Sequence, residues 1–132
     1  MQAINIGESK TIREGQNITI FSFGGVLNIA QAAAESLNAT LVDMRFVKPL
    51  DSTKIDQLAQ HHRFFITVEE NAVMGGAGSA VNEYVLNKGI NIQVRNIGLP
   101  DEFITHGDPK ELLKRAGLTS DAILKIAQTF PQ

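Results

Sequence analysis

The chain has 132 residues, 43% of them hydrophobic, which is enough apolar material for one ordinary domain with its own core. A formal net charge of -2 gives no basic field, so we expect no nucleic-acid partner. The absence of cysteine excludes disulfides, thiolate nucleophiles and cysteine-rich metal sites, and it suits a reducing cytoplasm. No apolar run approaches the roughly 20 residues that cross a bilayer, so we expect no membrane partner and a cytoplasmic location.

The chain divides into a short entry segment and one domain. Residues 1–9 look like a segment that enters from something upstream, and no linker or low-complexity stretch divides residues 10–132. Residues 10–13 form a short polar extended segment. Residues 18–23 have apolar side chains on both faces, which predicts a central strand. A helical stripe follows and ends near Asn38.

Residues 40–46 alternate in polarity and predict the next strand. Asp43 and Arg45 fall on one face of it, and a salt bridge between them is a better interpretation than a catalytic pair. Asp51 is a good N-cap for a short helix. His61 and His62 are predicted in the last turn of that helix, where they point apart, and with no third ligand at metal spacing we predict no metal site.

Five consecutive apolar or β-favouring residues, 64–68, predict a central strand that is covered on both faces. The strand ends in Glu69 and Glu70, and the glycine-rich residues 75–78 then turn into a helix. Open α/β sheets bind ligands at such carboxyl ends, so a nucleotide phosphate is the first hypothesis. However, Val81 stands where a third glycine belongs, and the two carboxylates would repel a phosphate. Capping of the helix by a carboxylate is the preferred interpretation.

Residues 92–97 alternate in a one-sided pattern, which favours a strand nearer the sheet edge. Residues 98–107 form a loop with apolar anchors. Its single histidine, His106, is the best isolated candidate for proton transfer, but no serine stands in an elbow motif and no acid pairs with it at a defined spacing. We therefore interpret His106 as an interface or loop-bracing residue.

Two helices are predicted to close the chain. The first spans residues 108–117, and Thr119 caps the second, with Leu118 as its hydrophobic staple. The buried face of the second helix consists of Ile123, Ile126, Ala127 and Phe130. The alternation of strands and helices predicts a three-layer α/β/α domain with a mostly parallel sheet.

Three blocks of the sequence carry a resemblance to a known family. Residues 41–51, 68–83 and 96–107 read LVDMRFVKPLD, VEENAVMGGAGSAVNE and NIGLPDEFITHG. In this order and at these distances they resemble the C-terminal domain of the 1-deoxy-D-xylulose-5-phosphate synthase family, and the likeness runs from about Gly7 to Phe130. The C-terminal domains of transketolases and of the β subunits of 2-oxo acid dehydrogenases share part of this outline and stay as alternatives.

The resemblance implies a transketolase C-terminal-type fold, with a five-stranded sheet whose first strand, near residues 10–13, is antiparallel to the others. It implies a homodimeric parent enzyme that joins pyruvate to glyceraldehyde 3-phosphate with loss of carbon dioxide, using thiamine diphosphate and magnesium. This reaction supplies isoprenoid, thiamine and pyridoxal precursors. In the family the upstream domains hold the cofactor and metal, with a Gly-Asp-Gly motif that this sequence lacks. We therefore assign no catalytic, cofactor-binding or metal-binding residue and expect this piece alone to be inactive.

Such a piece is expected to contact the upstream domains or the second subunit of a homodimer. We predict that the turn after residue 68 and the loop after residue 98 form this contact, because their apolar residues would otherwise be exposed. This assembly surface consists of Glu69, Glu70, Val73, Met74, Leu99, Phe103, Ile104 and His106. Two other functions stay open: a stand-alone nucleotide-binding module, and a small hydrolase that pairs His106 with Asp101 or Asp108 and lacks a recognisable nucleophile.

Overall fold

The computed structural model describes residues 7–47, 49–70, 76–99 and 120–131. In these residues, strands and helices alternate along the chain. Their bounds are β1 (Lys10–Arg13), β2 (Asn17–Phe23), α1 (Leu27–Leu37), β3 (Thr40–Asp43), α2 (Ser52–Ala59), β4 (His62–Glu70), α3 (Ala77–Lys88) and β5 (Gln93–Leu99). Residues 120–127 are also helical and form the C-terminal helical segment. Three predictions lie outside the described residues: the helix over residues 108–117, the cap of the next helix at Thr119, and the hydrophobic staple at Leu118.

The five strands form one mixed sheet in the order β1-β3-β2-β4-β5. β1 pairs with β3 in the antiparallel sense, and the pairs β2–β3, β2–β4 and β4–β5 are parallel. The prediction that the first strand is antiparallel to the rest is confirmed. β5 is a terminal strand of this order, as its one-sided pattern indicates.

Helices cover both faces of the sheet, which confirms the three-layer α/β/α architecture. On one face, α1 and the C-terminal helical segment pack against side chains such as Ile20, Ile66 and Val68. On the other face, α2 and α3 pack against Phe21, Phe65 and their neighbours. Because consecutive residues of β2 and β4 point to opposite faces and both faces are buried, these strands read as continuous apolar runs. Within the described residues, no helix is long and apolar enough to cross a membrane.

Strand β3 is shorter than predicted. The alternation of residues 40–46 predicts a strand to Phe46, but β3 ends at Asp43. Arg45 has a φ of 64°, and the Phe46 N–H donates to the Met44 carbonyl oxygen at 2.6 Å, so the chain turns there. Met44 is fully buried even though it lies beyond the strand. The apolar pattern therefore continued past the point where strand pairing ends.

The start of α2 is held by a carboxylate, as predicted. Asp51 Oδ1 accepts the Lys54 N–H at 3.2 Å. Its other oxygen, Oδ2, accepts from the Ser9 N–H at 2.8 Å and the Ser9 hydroxyl at 2.6 Å, which the sequence did not indicate. Burial by itself would raise the pKa of Asp51. The hydrogen bonds from Ser9 and Lys54, together with the Lys54 charge, outweigh burial and lower this pKa below its ordinary value of 3.8.

The lowered pKa gives a prediction for the pH dependence of stability. A group with a depressed folded-state pKa stabilises the fold above its unfolded-state pKa, and this contribution is lost as the pH falls through the folded-state value. We expect Asp51→Ala to lower the free energy of unfolding by about 1 kcal/mol at pH 7, as for other lost N-caps. The difference from the parent should shrink below pH 3.8. Urea unfolding at pH 7 and pH 3 measures both values, and a difference that is equal at the two pH values would contradict the assignment.

Candidate functional site

The carboxyl end of β4 meets the beginning of α3 through the buried side chain of Glu69, which is 8% exposed. Its Oε2 accepts the Ala77 N–H at 2.9 Å and its Oε1 accepts the Gly78 N–H at 3.3 Å. Gly76, the N-cap residue, has a φ of 96° and provides no side chain to do this. The prediction that a carboxylate caps this helix is confirmed, because the Glu69 carboxylate accepts from its first N–H groups.

A polar network lies beside this cap and joins β4, β5 and α3. The Asn96 Nδ2 donates to the Thr67 Oγ1 at 2.6 Å, and the Asn82 Nδ2 donates to the Asn96 Oδ1 at 2.8 Å. A Cβ added to Gly78 would lie 2.8 Å from Asn96 Nδ2 and 2.9 Å from Thr67 Oγ1. Glycine at this position therefore lets the first turn of α3 approach the sheet closely, which is the helix–sheet packing that the sequence interpretation favours.

This geometry bears directly on the phosphate hypothesis. A phosphate at a helix N-terminus is bound by free backbone N–H groups and by the positive end of the helix dipole. Here two of those N–H groups already donate to Glu69, whose carboxylate would also repel a second anion. In the described residues, the contacts between the end of β4 and the start of α3 hold the helix against the sheet.

Three of the eight predicted assembly-surface residues lie within the described part of the chain. Glu69 is buried under α3, and the backbones of Glu70 and Leu99 are direct partners in the parallel pairing of β4 and β5. The structure thus brings these three positions together at the carboxyl edge of the sheet. The remaining predicted residues, Val73, Met74, Phe103, Ile104 and His106, lie outside the described residues, as do Asp101 and Asp108.

The network of Thr67, Asn96 and Asn82 was not predicted from the sequence. One signal for it exists: Asn96 shares a face of the predicted strand with the apolar Ile92 and Val94. Asn96 is nevertheless exposed, and the sequence does not tell which residues its side chain bonds.

The two adjacent histidines are not where the sequence placed them. The prediction that both lie in the last turn of α2 is wrong: α2 ends at Ala59, and His62 is the first residue of β4. The N–H groups of Gln60 and His61 donate three residues back, to Gln57 and Leu58, which tightens and ends the helix. In the part of the chain that the structure describes, no group of three histidine, aspartate or glutamate side chains could hold a metal ion.

Asp43 and Arg45 lie at the carboxyl end of β3. Arg45 Nε is 4.0 Å from Asp43 Oδ2, which confirms the predicted ion pair, although Arg45 lies in the turn and not on the strand. Both side chains are one-quarter exposed, so the contribution of this pair to stability is at most about 1 kcal/mol.

The family model described as "Transketolase, C-terminal domain" matches residues 7–123. The chain belongs to the transketolase C-terminal domain family. Its curated relatives include proteins named 1-deoxy-D-xylulose-5-phosphate synthase. The one from Pseudoalteromonas translucida is 45% identical over 130 residues, and the one from Pectobacterium atrosepticum is 51% identical over 123 residues.

The relatives are much longer than this transketolase C-terminal domain. The matches cover 98% and 93% of the chain but only 21% and 20% of those two relatives, so the chain spans about one-fifth of their length. The matched part is their C-terminal portion. A solved structure titled "Split gene transketolase, inactive beta4 tetramer" is also similar, with a TM-score of 0.75, 32% identity, and coverage of 95% of this chain and 42% of that one. This confirms the transketolase C-terminal-type fold.

Proposed function

We propose that this chain is the C-terminal, non-catalytic assembly domain of a cytoplasmic, homodimeric 1-deoxy-D-xylulose-5-phosphate synthase. The full-length protein would condense pyruvate with glyceraldehyde 3-phosphate and release carbon dioxide, with thiamine diphosphate and magnesium bound by its upstream domains. The observation that carries the proposal is the match of nearly the whole chain to only one-fifth of proteins with this name.

The residues at the carboxyl edge do not fit the diphosphate of thiamine diphosphate. Glu69 occupies the Ala77 and Gly78 N–H groups that a diphosphate would need, and the sequence lacks the Gly-Asp-Gly motif. The proposal therefore assigns no catalytic, cofactor-binding or metal-binding residue to this domain. Its role is to help hold the arrangement of domains that encloses the reacting group elsewhere in the protein.

The carboxyl edge is the proposed contact surface. Glu69 and the network around Asn96 fix the start of α3 against β4 and β5, so the segments that leave these strands start from a rigid base. Those segments contain the apolar residues Val73, Met74 and Phe103, which favour a buried contact with another domain or subunit. The similar solved structure, titled a tetramer of β chains, supports a role in assembly for this fold.

Alanine substitutions in a full-length enzyme test this role. We expect Met74→Ala and Phe103→Ala each to weaken subunit or interdomain association about tenfold, because truncating a buried interface anchor costs more than 1 kcal/mol. Sedimentation velocity over a concentration series measures the association, and turnover is measured at concentrations where the variants are assembled.

Leu86→Ala is the matched control, since Leu86 is 80% exposed and lies near the opposite end of α3. The control should sediment like the parent. Unchanged sedimentation and domain stability in both Met74→Ala and Phe103→Ala would contradict the proposed surface.

A further inference from the structure

The amino edge of the sheet, opposite the assembly surface, contains an open cleft of about 440 Å³. Thr40 and His62, the first residues of β3 and β4, form part of its lining, and the C-terminal half of α2 forms one wall. Most of the lining residues are polar or charged. The lining consists of Thr11, Glu14, Gly15, Thr40, Lys54, Gln57, Leu58, Gln60, His61 and His62.

The basic side chain of Lys54 has donors available in this cleft. Its Nζ donates to the Thr11 Oγ1 at 3.0 Å, and since an ammonium group has three N–H bonds, two others are left over. In the residues that the structure describes, no carboxylate oxygen lies within ion-pair distance of this nitrogen. The Lys54 charge nevertheless contributes to the lowered pKa of Asp51 nearby. Glu14, an exposed residue, is the acidic member of the lining.

The Leu58 carbonyl, near the end of α2, already has hydrogen-bond donors. The last carbonyl groups of a helix carry partial negative charge. Here the Leu58 carbonyl accepts the His61 N–H and the His62 Nδ1, both at 3.1 Å. Because a carbonyl oxygen can only accept, His62 carries a hydrogen on Nδ1, and its Nε2 bonds the Thr40 Oγ1 at 2.8 Å. The Leu58 carbonyl therefore has its hydrogen-bond partners, and the His62 imidazole is held in place by bonds at both ring nitrogens.

We propose that this cleft binds a small oxyanion, namely the carboxylate or phosphate group of a metabolite. The Lys54 ammonium and the exposed His61 imidazole are its principal donors, and the side-chain amides of Gln57 and Gln60 supply further N–H groups. Lys54 is already oriented by Thr11, so little side-chain entropy is lost on binding. The site lies at the other edge of the sheet from the assembly surface and does not depend on the proposed function.

Nuclear magnetic resonance titrations of the 132-residue chain test this proposal. Inorganic phosphate and sodium acetate are the two probes, added at constant ionic strength with sodium chloride as the replaced salt. We expect saturable amide shifts in α2 and at the starts of β3 and β4. Lys54→Gln should weaken binding about tenfold, as expected for loss of a charge-assisted hydrogen bond. Glu14→Gln should strengthen binding about threefold by removing a repulsive charge.

Lys125→Gln is the charge-matched control, because Lys125 is exposed on the helical segment that covers the other face of the sheet. It should bind like the parent. Shifts with phosphate alone would identify a phosphate site, and shifts with both probes a general oxyanion site. Absence of saturable shifts with both probes, or equal affinity in Lys54→Gln and Lys125→Gln, would overturn the proposal. Either result leaves the sedimentation test of assembly unaffected.

Discussion

Substituting Phe65 by alanine is expected to lower the free energy of unfolding by about 3 to 5 kcal/mol, the range for deleting a buried aromatic ring. Phe65 is fully buried on the face of β4 that α2 and α3 cover. Its ring meets that of Phe21 edge to face, with centroids 4.8 Å apart and planes at 83°. The substitution therefore removes both apolar burial and a favourable ring contact between the two adjacent inner strands.

Urea unfolding of the parent and variant chains measures this loss. Small domains have a total stability of about 5 to 15 kcal/mol, so Phe65→Ala should remove a large share of it. Leu86→Ala is the control: it also truncates a large apolar side chain, but one that is 80% exposed, and its effect should stay within about 0.5 kcal/mol. A loss below about 1 kcal/mol for Phe65→Ala would contradict the packing described for this face.

The second large effect is expected from Glu69→Ala, at about 2 to 4 kcal/mol. The change removes two hydrogen bonds to the start of α3 and leaves the Ala77 and Gly78 N–H groups buried without their acceptor. Glu69→Gln keeps one side-chain oxygen that can accept, so its loss should be smaller. Amide hydrogen exchange should become faster at Ala77 and Gly78 in the alanine variant.

Glu83→Ala on the same helix provides the control for Glu69, because Glu83 is exposed. Its effect should be within about 0.5 kcal/mol, with no change in exchange at the start of α3. Equal stability of the Glu69→Ala and Glu83→Ala variants, or unchanged exchange at Ala77 and Gly78, would show that the cap does not hold the helix as described.

Much of the fold follows from local sequence patterns. β2 and β4 were predicted because their apolar residues occupy both faces. The start of α3 was predicted from the glycine-rich residues 75–78, and Gly76 there adopts a left-handed backbone conformation. The edge position of β5 followed from its weaker alternation. Each of these elements is indicated by residues that lie close together in the chain.

Other features depend on residues that are distant in the chain. Ser9 and Asp51 are 42 residues apart, and Thr67 and Asn96 are 29 apart, so the choice of partner is made by the sheet and not by local pattern. The ends of β3 and α2 were misplaced for a related reason. The buried Met44 continues the apolar pattern of β3 beyond the end of the strand, and the polar His61 and His62 follow α2 beyond the end of the helix. Backbone hydrogen bonding sets where each element ends.

Removing the whole domain tests the assembly role most directly. A full-length enzyme that carries this domain would be compared with the same enzyme truncated before residue 7, where the family match begins. Sedimentation velocity should show that truncation shifts the dimer toward smaller species at concentrations where the parent stays assembled. A truncated protein that remains dimeric with the same dissociation constant would contradict an assembly role for this domain.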